Sequence, residues 1–307
     1  MILEIKTISK IFSDVMTEKA LNILPISGRG FVNQVFLVQT ANTKFIIRLN
    51  SAKSLEEYEK EIWATNQAIE ENIPTPKILK IGICDFQAYS IQDYVKGFEG
   101  RDLSADKLFI WKKLGEYAKL IHSVKVGGFG LDFCEMTCGD SQKMWLRYLN
   151  YNIESLNKDD ELLKLNVVSN VQSKTIRRLF KNLKSREFTF GLNHGDLSLK
   201  NTIIDEFKTV HLIDWGSSEA SIVPHHDLIQ LLKVNMQENN HNDSEIKAFL
   251  EGYGIGEKEY EKMLPDLMIL LTLRAFDKLR WAIDWKITDL NEYVFHAQEA
   301  VKKVLNY

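Results

Sequence analysis

Two short stretches carry the residues best suited to chemistry. His194-Gly195-Asp196-Leu197-Ser198-Leu199-Lys200-Asn201 places an aspartate five residues before an asparagine, and Ile213-Asp214-Trp215-Gly216 adds a second aspartate thirteen residues later. The first follows a strand-like run, Phe188–Leu192. Between the two, Thr202–Ile204 and Val210–Ile213 read as a small hairpin. Such a hairpin can bring all three side chains to one end, and together they suit phosphoryl transfer. The transferred group carries much charge and needs little covalent help, so positioning and electrostatics dominate. The Asn201 carboxamide oxygen and the Asp214 carboxylate are hard donors that suit Mg2+, which bridges phosphate oxygens. Asp196 then accepts, or orients, the proton of the attacking hydroxyl.

These stretches resemble the catalytic loop of protein kinases and its metal-binding Asp-Phe-Gly element. The departures narrow the resemblance. Gly195 stands where protein kinases usually carry Arg, Ser198 where Ser/Thr kinases carry Lys, and Trp215 replaces the Phe. Only ten residues, Ser217–His226, separate Gly216 from Asp227, too few for an activation segment with an Ala-Pro-Glu anchor. The pattern is similar to that of the aminoglycoside phosphotransferase and choline kinase-like family. That resemblance implies an α+β, bilobal protein kinase-like fold. Its N-lobe has an antiparallel sheet plus helix C, and its larger C-lobe is mostly helical. The resemblance also implies transfer of the γ-phosphoryl group of ATP or GTP, with Mg2+, to a hydroxyl of a small molecule. Asp196 is then catalytic, Asn201 and Asp214 hold metal, and Asp227 is a buried structural aspartate.

Other matches fall upstream in the expected order. Ser27, Gly28 and Gly30 open a glycine-containing turn between strand-like runs, with Asn33 in the third Gly place. It does not precede a helix, so it is not a dinucleotide fingerprint. Arg48 occupies the strand-three Lys position and Glu61 the helix-C Glu position, and the resemblance makes them a pair that aligns the α/β-phosphates. Ser90–Gly97 resembles the hinge that holds adenine through main-chain groups of Asp93 and Val95. Arg48–Ser51, Pro74–Gly82 and Gly128–Gly130 resemble hygromycin kinase-like members of the family.

Elements must position these residues. Val32–Val38, Phe45–Leu49, Lys77–Ile83 and Ala88–Val95 read as strands. Ser54 is expected to cap a helix, with acids in its first turn and Glu57 at the capping-box position. Leu108–Val124, Ser141–Leu156 and Glu161–Lys184 read as helices, and the chain from His226 onward as almost wholly helical. The polar run Glu238–Asp243 reads as a loop between helices. The expected domains are therefore 1–95, nucleotide-binding, and 96–307, catalytic and acceptor-binding.

Composition sets limits and gives a hint. The 307 residues carry a formal net charge of −3, without the bulk positive charge that nucleic acid or an anionic membrane attracts. No signal-peptide pattern opens the chain, and the longest apolar stretch falls far short of the ~20 residues that span a bilayer. Three cysteines (Cys84, Cys134, Cys138) form no paired framework. A cytoplasmic location is expected. Residues 1–95 sum to −1, 96–210 to +4 and 211–307 to −6. The acidic tail argues for a cationic acceptor, an aminoglycoside or related antibiotic. The alternatives are a metabolite kinase acting on choline, a sugar or an amino-alcohol, or a nucleotide-binding regulatory pseudokinase. Glu219, Asp277 and Asp284 are candidate acceptor ligands. Asp277 and Asp284 share one face of the helix Met268–Trp285 with Arg280, and Trp281 and Trp285 sit beside that face, where two indoles could bound a sugar ring or a quaternary amine. The oligomeric state is not readable from these features.

Overall fold

A computed structural model describes residues 2–26, 34–134, 139–237 and 243–307. Ser27, Gly28 and Gly30, and most of the polar run Glu238–Asp243, lie outside the described residues. The first elements are α1 (Ile2–Val15), β1 (Asn22–Ile26), β2 (Gln34–Gln39), β3 (Lys44–Ser51), α2 (Leu55–Glu70), β4 (Ile78–Cys84), β5 (Gln87–Asp93) and β6 (Phe98–Glu99). Then come α3 (Lys107–His122), β7 (Gly127–Phe129), β8 (Asp132–Cys134), α4 (Ser141–Ser155), α5 (Glu161–Lys164), α6 (Asn170–Asn182) and β9 (Thr189–Asn193). The last are β10 (Thr202–Ile204), β11 (Val210–Leu212), β12 (Glu219–Val223), α7 (His225–Gln237), α8 (Asp243–Tyr253), α9 (Glu257–Asp284) and α10 (Asn291–Asn306). The mixture is α+β, as expected. Among the described residues no helix is long and apolar enough to cross a membrane.

Backbone contacts divide the chain into two compact units: Met1–Ile110 with Ser198–Ser218, and Trp111–Leu197 with Glu219–Tyr307. In the first, β1–β5 form an antiparallel five-stranded sheet ordered β1-β2-β3-β5-β4. Strand side chains alternate between faces, and β3 uses both. Phe45, Ile47 and Leu49 join a core with Ile8, Ile11 and Phe12 of α1. Arg48, of opposite parity, is buried on the other face. There it meets α2, whose inward face runs through Tyr58, Glu61, Thr65 and Ala68.

The unit extends beyond residue 95 because β10 pairs with β6, and the Leu212 N–H donates to the Pro74 carbonyl (2.8 Å). Gly100 permits this approach, since a Cβ there would collide with the Thr202 hydroxyl.

Two local expectations need correction. Ser54 holds the N-cap position of α2, but its side chain makes no cap hydrogen bond. The span expected as one helix, Glu161–Lys184, is two. Asn166 adopts φ 56°, which a helix cannot continue through, and Ser169 restarts the chain with a capping box to Gln172. In the second unit β9 pairs antiparallel with β12, and helices α3, α4 and α6–α10 make up most of the rest.

Candidate active site

The first unit holds the expected phosphate and metal residues. The Arg48 Nη2 donates to Glu61 Oε2 at 2.6 Å, with both side chains under a tenth exposed. Tyr58 lies beneath the guanidinium, its ring centroid 5.3 Å away. Burial opposes the Arg48 charge, but Glu61 and Asp214 hold it above its ordinary value. Asp214 Oδ1 lies 3.7 Å from Arg48 Nη1, and its side chain is more than half exposed.

The backbone explains how Asp214 is presented. Thr202 faces Leu212 in the β10–β11 hairpin, and the Ile213 N–H donates to the Asn201 carbonyl (2.9 Å). Asn201 and Asp214 therefore stand together at the open end of the hairpin. Asp214 takes the left-handed conformation (φ 64°, ψ 62°), so the chain turns there. The Trp215 indole N–H anchors the turn on the Thr75 hydroxyl at 2.9 Å. One carboxylate and one carboxamide make a hard-oxygen donor set. Among the described residues no group of three or more His, Cys, Asp or Glu side chains could hold an ion alone. Such a set fits Mg2+, which keeps waters and phosphate oxygens among its ligands.

At the expected hinge, Asp93 ends β5 opposite Phe45 and its N–H donates to the Lys77 carbonyl (3.0 Å). Val95 follows, half-buried.

The second unit holds Asp196. Strand β9 ends at Asn193 and delivers a fully buried His194. Gly195 takes φ 81°, which explains a glycine where protein kinases carry Arg. The Asp196 N–H approaches His194 Nδ1 at 3.4 Å, and Gln230 Nε2 donates to the Gly195 carbonyl at 3.4 Å. Below this turn Asp227 is buried, as expected of a structural aspartate. His122 Nε2 lies 2.9 Å from its Oδ2, and His122 Nδ1 lies 3.0 Å from the Tyr253 hydroxyl. Burial opposes its ionisation, but the His122 hydrogen bond and the surrounding histidines hold Asp227 below its ordinary value.

The four candidate acceptor residues do not gather in one cleft. Glu219 is buried and engaged, its Oε1 2.7 Å from His226 Nδ1 and 3.0 Å from Arg274 Nη1. Burial raises its carboxyl, but Arg274 and His226 overcome this and hold it well below the usual range. Asp277 is hydrogen-bonded to Tyr148, and burial raises it. Asp284 is exposed, on a groove shared with Tyr151, Asp159, Asp160 and Arg280. Arg280 is tied down, with 2.6 Å bonds to Asn152 Oδ1 and Asp160 Oδ2. Trp281 and Trp285 are both exposed, with ring centroids 6.0 Å apart.

The sequence reading missed Lys233, Arg274 and Lys278, which line one cavity with Gln230. The available signal was helical spacing, since Gln230 and Lys233 are i,i+3 and Arg274 and Lys278 are i,i+4.

The two low-lying carboxyls give a stability expectation. Asp227 and Glu219 bind protons less readily folded than unfolded. Their contribution is complete above the unfolded values, about 3.9 for Asp and 4.3 for Glu, and is lost as pH falls through and below them. Burial also holds the His225 imidazole down to about 4, so urea denaturation should show stability easing as pH falls below about 6.5 and falling more steeply below pH 4.5, where the two carboxyls add to it. Glu219→Gln should be less stable at pH 7 and fall less steeply.

Comparison with known proteins agrees with this geometry. The model of a family described as "Phosphotransferase enzyme family" matches residues 23–265. An uncharacterised protein from the ileS 3′ region of Staphylococcus aureus is 28% identical over 122 residues, 40% of this chain and 91% of that one. A thermostable mutant of aminoglycoside phosphotransferase APH(4)-Ia, in ternary complex with ADP and hygromycin B, superposes with a TM-score of 0.68 at 13% identity, covering 96% of this chain and 98% of that chain. A mutant aminoglycoside 2′-phosphotransferase IIIa in complex with GDP gives 0.68 at 17% identity, covering 98% and 97%. A provisionally assigned fructosamine-3-kinase of Haemophilus somnus 129PT gives 0.64 at 12%, covering 98% and 97%. At these identities the structural likeness establishes the fold, which is protein kinase-like.

Proposed function

Because the chain belongs to the phosphotransferase enzyme family, we propose that it transfers the γ-phosphoryl group of ATP, or GTP, to a hydroxyl of a small molecule. The observation that carries this reading is the buried Arg48–Glu61 pair with the Asp214 carboxylate beside it. It sits in the same unit as Asn201 and the hinge segment. An arginine fixed by a buried glutamate presents a directional, permanently charged donor to phosphate oxygens. Asp93 and Val95 offer main-chain groups to the base, and Ser27, Gly28 and Gly30 are assigned to the phosphates from the family pattern.

Asn201 and Asp214 would hold Mg2+. When bound, the ion neutralises phosphate charge as the transferring group loosens. Asp196 orients the acceptor hydroxyl and takes its proton as the oxygen–phosphorus bond forms. His194 and Gly195 set the turn that presents it. We assign nucleotide binding to the lobe 1–95, with the metal residues supplied by Ser198–Ser218, and acceptor binding to the remaining lobe.

The acidic tail argues for a cationic antibiotic, and hygromycin B stands in the complex of a structural neighbour. The cavity lined by Lys233, Arg274 and Lys278 argues instead for a metabolite kinase. An ADP-release assay with Mg2+ and panels of aminoglycosides, macrolides, choline and sugars tests the reaction. Acceptor-dependent ADP release that EDTA abolishes is expected. Slow ATP hydrolysis that no hydroxyl compound stimulates would support a regulatory nucleotide-binding protein instead.

A further inference from the structure

We propose that the acceptor carries an anionic group, a carboxylate or a phosphate, which Lys233, Lys278 and Arg274 hold in the cavity between α7, α9 and α10. The inference rests on the small-molecule kinase reading and names the acceptor's class. The cavity has a volume of about 210 Å³. That is below the ~300–1,000 Å³ usual for drug-sized ligands and suits a compact metabolite better than a multi-ring antibiotic.

The charges of the lining decide the sign. Lys233 comes from α7, Arg274 and Lys278 from α9, and Glu292 and His296 from α10, so three basic side chains and a histidine share the lining with one carboxylate. Arg274 already has its counter-ion in Glu219. Among the described residues neither Lys233 nor Lys278 makes an ion pair. Two ammonium groups and a guanidinium in one partly desolvated cavity repel one another. The effect is visible at Lys233, which burial, Lys278 and Arg274 all lower. Lys278 is lowered likewise by desolvation and Arg274, although its side chain reaches the exposed mouth. With Arg274 matched by Glu219, the two lysines outnumber Glu292 in the lining, and that surplus of positive charge favours an anion over a cation.

Position connects the cavity to the chemistry. Gln230 lines it and donates to the Gly195 carbonyl, one residue before Asp196. Both lysines also feel the Asp196 charge. An acceptor anchored there by its anion would present a hydroxyl near the turn that carries Asp196. Of the tail's acids, Asp284 lies on a separate groove, while Glu219 and Asp277, close enough to act on Lys278, are already engaged with Arg274 and Tyr148.

The test uses the full chain with Lys233→Met and Lys278→Met, and thermal melts to verify that both fold. Acceptors in the ADP-release assay are gluconate and glycerate for carboxylates, glucose 6-phosphate for phosphates, glucose for a neutral sugar, and kanamycin and choline for cations. Turnover of at least one anionic acceptor is expected, and the carboxylate and phosphate arms tell the two sources apart. Each Met variant should raise that acceptor's KM about tenfold or more, the size of one lost charge-assisted hydrogen bond, with the KM for ATP unchanged. Turnover confined to neutral or cationic acceptors overturns the proposal and leaves the kinase reading standing. So does a rise in the KM for ATP alone, which would give the lysines to the nucleotide. If nothing is turned over, the kinase reading fails, and calorimetric titration of the AMP-PNP-saturated protein with inorganic phosphate and gluconate still decides the site. Binding weakened about tenfold by either Met variant supports the anion site. No binding, or equal binding by the variants, overturns it.

Discussion

Asp196→Ala should lower kcat by about 10²–10⁴-fold, the span attributed to a positioned general base. The affinity for ATP should stay within about twofold, since the charge removed makes its interaction in the transition state. Single-turnover kinetics and equilibrium binding of AMP-PNP separate the two effects. The contrast with Asp214→Ala sharpens the assignment. Asp214 lies 3.7 Å from Arg48, in the unit that holds the Arg48–Glu61 pair. Its loss should therefore raise the Mg2+ concentration needed for half-maximal rate as well as lower kcat. Near-normal turnover in Asp196→Ala would remove it from the reaction. A collapse of nucleotide affinity in that variant would make it part of the ATP site instead. The turn itself should survive, because Gly195 and buried His194 shape it through their backbone and ring.

Glu61→Ala should destabilise the protein by about 3 kcal/mol, because it leaves the buried Arg48 guanidinium with only the more distant, half-exposed Asp214 as counter-ion. Arg48 and Glu61 are each under a tenth exposed, and their bond is 2.6 Å. Water therefore cannot replace the missing carboxylate cheaply. The double variant Arg48→Met/Glu61→Met should recover most of the loss, since two apolar side chains of similar length fill the gap with no stranded charge. It should also lose activity, having no donor for the phosphates. Urea denaturation of the single and double variants gives the coupling energy. A Glu61→Ala loss below about 1 kcal/mol, the range of exposed pairs, would mean that solvent reaches the pair.

The legible parts of the molecule are the local ones. Asp196, Asn201 and Asp214 lie within nineteen consecutive residues on a loop and a hairpin, so their spacing constrains their geometry. The strands of the sheet showed in their β-branched runs. Helix α1 carries a legible signal too: Ile5, Ile8, Ile11, Phe12 and Val15 recur at helical spacing between Lys6, Ser9, Lys10, Ser13 and Asp14, although it stood outside the expected elements. The break in Glu161–Lys184 turned on one residue in a left-handed conformation, which hydrophobic periodicity does not register.

The acceptor side shows the other limit. Summing charge along the tail gave −6 and suggested a cation, but a segment's net charge says nothing about where each charge points. Glu219 is already held by Arg274 and His226, and Asp284 faces a separate groove. Lys233 and Lys278 stand forty-five residues apart in the chain and line one cavity only because α7 packs on α9. The order of residues was enough for the family and the kinase class, since the motif that marks them depends on short-range spacing. Side-chain pairing and helix packing are long-range, many-body outcomes. They decided which charges are matched, which face the cavity, and which of the two compact units claims the hairpin of Asn201 and Asp214.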